Sequence, residues 1–68
     1  MDWMANVLKA YIKAHQLRTT YKNILAACDY AVTQGYDTSI GLFCDALLAD
    51  SKMLEILLQK EKKNNVIL

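Results

Sequence analysis

The sequence predicts an all-α fold, a small antiparallel bundle of three helices, or of four if the third segment breaks near Asp50. Three observations carry this. Apolar residues recur at three- and four-residue spacing along most of the chain, which is the periodicity of amphipathic helices. No proline and only two glycines interrupt that pattern. Hydroxyl and carboxyl residues stand where helices would begin, and short connections between them favour antiparallel neighbours. At 68 residues and 54% hydrophobic content the chain reads as one globular domain over residues 1–63, near the lower size limit for an unaided core, with a frayed tail at 64–68.

The first element is expected from about Trp3 to Leu17, with Asp2 as its N-cap. Lys9, Lys13, Asn6 and Gln16 hold about a third of its wheel, so the apolar arc is wide. The second element spans about Tyr21 to Gln34. Either hydroxyl of Thr19-Thr20 can cap it, and Gly35 supplies a left-handed stop. Tyr21, Ile24, Leu25, Ala27, Cys28, Ala31 and Val32 share an arc of about 160°, opposite Lys22, Asn23, Asp29 and Thr33.

The third element starts after Tyr36, capped by Asp37, Thr38 or Ser39, and runs to about Lys62. Its core stripe is Ile40, Phe43, Leu47, Leu54, Leu57 and Leu58. Asp50-Ser51 interrupts the stripe and can act as a second N-cap, which would divide the element in two. Leu42, Ala46, Ala49, Met53 and Ile56 form a second apolar band about 120° from the first, which a fourth helix folding back from a break at Asp50 would cover instead. A surplus band of that kind reads as a protein interface, and methionine within it suits an adaptable contact. Cys28 and Cys44 lie at similar distances from the Gly35 turn, so they are expected level on adjacent helices.

The chemistry-bearing residues are sparse. His15 has no partner at metal-ligand spacing, and the two cysteines form no CxxC motif. Without a secretory leader pattern they read as free thiols, and the expected location is the cytoplasm. No nucleophile–base order, phosphate loop or calcium loop can be assembled, so neither a catalytic nor a metal site is expected, nor a cofactor or small-molecule substrate. The net charge of +1 provides no global field toward nucleic acid or anionic lipid. Four cations and one anion fall in residues 1–28, whereas residues 29–50 carry only Asp29, Asp37, Asp45 and Asp50. That segregation suits pairing between neighbouring helices.

Lys9, Lys13 and Lys22 form a modest basic face, the basis of an alternative reading as a nucleic-acid-associated regulator. Against it, a helix-turn-helix register on Gly35 would send Asp45 and Asp50 into the groove with no basic residue before Lys52. A membrane surface is a weaker prospect for the Trp3 helix than burial between two neighbours. The expectation is therefore a non-enzymatic helical interaction module, a regulator or inhibitor that occludes or bridges a protein partner and self-associates as a homodimer.

Overall fold

The structure, a computed structural model, describes residues 2–59. Over that range it is all-helical: α1 (Asp2–Ala14), α2 (Tyr21–Gln34), a 3-10 turn (Tyr36–Thr38), α3 (Ile40–Ala49) and α4 (Ser51–Leu57). The four-helix alternative holds, with the break at Asp50. The tail expected at 64–68 and the domain end at residue 63 lie outside the described residues.

Each helix end has a local cause. α1 stops at Ala14 because Gln16 adopts left-handed backbone at φ 54°. The Gln16 and Leu17 amides turn back to the carbonyls of Lys13 (3.2 Å) and Ile12 (2.9 Å), the bond pair of a Schellman stop. A side-chain-bearing residue there costs about 1 kcal/mol relative to glycine. Of the two threonines it is Thr20 that caps α2, its hydroxyl accepting from the Asn23 amide at 3.2 Å. Gly35, at φ 82°, ends α2 as expected. Ser39 caps α3, its hydroxyl accepting from the Leu42 amide at 3.0 Å.

Helix pairing differs from the expected hairpin. The Thr19 hydroxyl donates to the Leu57 carbonyl, and the Asn23 side-chain amide donates to the carbonyls of Leu57 (3.3 Å) and Gln59 (2.6 Å). The start of α2 thus meets the end of α4. Farther along α2, Tyr30 reaches Asp50 at the start of α4, so the two helices run antiparallel. α2 packs mainly on α4 and α1, while α3 packs on the 3-10 turn and α4. The neighbour pair expected between the helices of Cys28 and Cys44 is therefore replaced by α2 with α4. Both cysteines are free, Cys28 buried and Cys44 half-buried.

All four helices contribute to one core: Met4 and Leu8 from α1, Ile24 and three small residues from α2, Phe43 and Leu47 from α3, Met53 and Leu57 from α4. The small residues Ala27, Cys28 and Ala31 are fully buried and let neighbouring backbones approach closely. Phe43 is fully buried, with the Trp3 ring edge-on to it at 5.4 Å and 74°. Burial of each such large side chain stabilises the fold by about 1.5–3 kcal/mol.

Candidate protein interface

α3 is the most apolar helix of the fold. Its ten residues contain one charged side chain, Asp45, and one glycine, Gly41. A helix apolar on all sides belongs in an interior, yet this one gives only Phe43, Ala46 and Leu47 to the core. The outward arc carries Ile40, Cys44 and Leu48 at spacings of four, a continuous stripe along the helix. Leu48 is 80% exposed and Ile40 is 60% exposed. Beyond Asp45 lie Leu42, 42% exposed, and Ala49.

The band expected as one surface is thereby split. Leu42 and Ala49 do face outward, but Ala46 is buried and Met53 has no exposure at all; Ile56 is half-buried against the core. The cause is the backbone at Asp50, φ −97° and ψ 100°, which starts α4 in a new direction. A wheel drawn through that residue places Met53 beside Leu42, whereas the break turns Met53 and Leu57, one turn apart, inward together. Ile40 and Leu58, both assigned to the core stripe, are exposed. Leu48 lay outside both bands of the continuous wheel, and no sequence signal marked it.

Asp50 fixes the joint by three accepted hydrogen bonds. One carboxylate oxygen, Oδ2, accepts from the hydroxyls of Tyr36 (2.6 Å) and Tyr30 (2.7 Å), and Oδ1 accepts from the Lys52 amide (3.0 Å) as the N-cap of α4. The Tyr36 and Tyr30 hydroxyls hold the carboxyl below its ordinary range. Reciprocally, donation to Asp50 pushes the Tyr30 phenol up to about 12 and raises Tyr36 as well. This one side chain therefore ties α2, the 3-10 turn and α4, and the Asp50 backbone amide, donating to the Ala46 carbonyl at 2.8 Å, joins α3. The sequence marks Asp50 as a cap but gives no sign of its tyrosine partners, 20 and 14 residues away.

The remaining candidates stay dispersed. Burial, and then the neighbouring Asp29 charge, raise the Cys28 thiol, the opposite of an activated nucleophile. The exposed His15 ring lies against Tyr11, with centroids 4.3 Å apart. Of the basic face, Lys9 lies over the Tyr21 ring at 5.6 Å, while Lys13 and Lys22 are exposed. Among the described residues no three His, Cys, Asp or Glu side chains converge as a metal site would require. No described helix is long and apolar enough to cross a membrane. An open groove of about 540 Å³ passes Lys52, Glu55, Ile56, Leu58 and Gln59, a lining with no nucleophile–base pair. No family model, curated protein or solved structure matches the chain.

Proposed function

We propose that this protein is a non-enzymatic helical interaction module that self-associates through the outer face of α3. The supporting observation is the exposure of Leu48 and Ile40 on a helix whose outward arc holds a single charge. Apolar residues that a small core leaves uncovered are most simply accommodated by another apolar surface. A second copy offers one, because a two-fold contact places the same patch on both sides. Half-buried Cys44 lies between Ile40 and Leu48, and its small side chain permits two such helices to cross closely there.

Substitution of Leu48 by glutamate tests the proposal. The side chain is so exposed that folding should change by no more than about 0.5 kcal/mol, whereas a charge within an apolar contact opposes association. Light scattering across a concentration series should show rapid, dilution-reversible dimerisation of the wild type and its loss in L48E, with unchanged helicity by circular dichroism. Equal association of the two proteins would end the proposal.

A further inference from the structure

The joint between α3 and α4 is a single residue wide, and no glycine or proline enforces it. Ala49, Asp50, Ser51 and Lys52 are all able to continue a helix, and only Asp50 leaves helical geometry. The break is instead held from outside, by the two tyrosine hydroxyls and by the Asp50 cap. If residues 40–58 are placed on one uninterrupted helix at about 100° per residue, the core-forming side chains gather on one side, while Leu42, Cys44, Leu48, Ala49 and Ile56 fall outside that arc. Ile40, Phe43, Ala46, Leu47, Met53, Leu54, Leu57 and Leu58 fall within an arc of about 140°. That arc gathers the core residues of both helices with Ile40 and Leu58, which the broken form leaves exposed. The core-forming side chains of both helices are thus compatible with an uninterrupted helix as well as with the broken one.

The continuous form has something to gain and somewhere to go. Joining the helices pairs the first amides of α4 with the last carbonyls of α3, groups that any helix end leaves without intrahelical partners. α4, at seven residues, is too short to hold together alone and relies on its seat against α2. That seat is specific: Met53 and Leu57 enter the core, while Thr19 and Asn23 hold the Leu57 carbonyl. Straightening the joint carries α4 away from its own α2, and the α2 of a second copy provides an identical seat.

We propose that α3 and α4 fuse through Asp50 and that two copies of this chain exchange α4, each α4 docking on the partner's α2. Exchange of an identical element is a low-cost route to a dimer, and a one-residue hinge is the kind of connection that permits it. It is a second mode of association, separate from pairing through the α3 face. Because α4 must leave its seat first, the exchanged dimer forms and dissociates slowly, unlike a surface contact.

Two substitutions act on the hinge in opposite directions, and both are made in the L48E background so that face pairing is silent. Ser51→Pro suits the broken form: the first residue of a helix needs no amide, and proline favours the extended backbone that Asp50 already has. In a fused helix the same proline removes a bond and clashes, which should lower the dimerisation constant by about a hundredfold or more. Asp50→Ala removes the cap and the tyrosine acceptor and should raise it. Each protein is incubated at high concentration, diluted, and sized at once by light scattering. The expected result is a slowly decaying species of twice the 7.7 kDa chain mass in the parent, depleted by S51P and enriched by D50A. A parent that is monomeric after incubation overturns the proposal, as does an S51P protein that dimerises equally. Should D50A fail to fold, the comparison of S51P with the parent decides the matter alone. Loss of the rapid association in the Leu48 test would leave this result untouched.

Discussion

α3 and α4 come from one stretch of sequence with one periodicity, yet they are held in opposite ways. α3 has more apolar surface than the core accepts, and three buried residues suffice to anchor it beside the 3-10 turn and α4. α4 has little to spare: two of its seven residues are fully buried, and both of its ends are tied by polar groups on α2. The difference shows that apolar content does not rank helices by how firmly they are fixed. Position relative to a few buried side chains and a few directed hydrogen bonds does.

The largest expected effect separates the two helices directly. Met53→Ala removes a fully buried side chain from α4 and should cost about 2–5 kcal/mol, while Leu48→Ala on α3 should stay within about 0.5 kcal/mol. Urea denaturation monitored by circular dichroism measures both, and similar losses would erase the contrast.

The second expectation concerns pH and the joint. The Asp50 carboxyl titrates below its ordinary value of 3.8 when folded, so its contribution is present above that value and lost as pH falls through the lower folded one. The Tyr30 phenol, ordinarily at 10 and raised to about 12, contributes below 10, and that contribution is lost as pH rises from 10 toward 12. The melting temperature should therefore be flat between about 4 and 10 with respect to these groups and decline on both sides. Tyr30→Phe should lower the plateau and flatten the alkaline decline; an unaltered alkaline limb would show that the hydroxyl does not hold α4. The smallest of the three is Asn23→Ala, which removes the bonds to Leu57 and Gln59 and should cost about 1 kcal/mol in the same urea experiment.

Much of the fold was legible in the sequence because it is written locally. Gly35 needs only its own backbone freedom to end α2, and Thr20 and Ser39 each cap an amide three residues on. Asp50 was legible as a possible cap for the same reason. Its effect on the surface was not, because a wheel assumes an unbroken axis and a single non-helical residue redirects every later side chain. The second helix shows a related limit: Tyr21, Leu25 and Val32 share the apolar arc with Ala27, Cys28 and Ala31, yet only the smaller residues and Ile24 reach the core. Periodicity identifies an apolar side without saying how much of it a neighbour covers.

The contact between Trp3 and Phe43 also provides an optical handle. The chain has one tryptophan, so its fluorescence comes from a single indole on α1, packed edge-on against a ring of α3. Neither ring belongs to α4. Emission should therefore follow the separation of α1 from α3 and be little altered when α4 alone leaves its seat, whereas amide hydrogen exchange at Met53 and Leu57 would register that release. A protein whose α4 amides exchange freely while its tryptophan emission stays native would have opened at one joint and nowhere else.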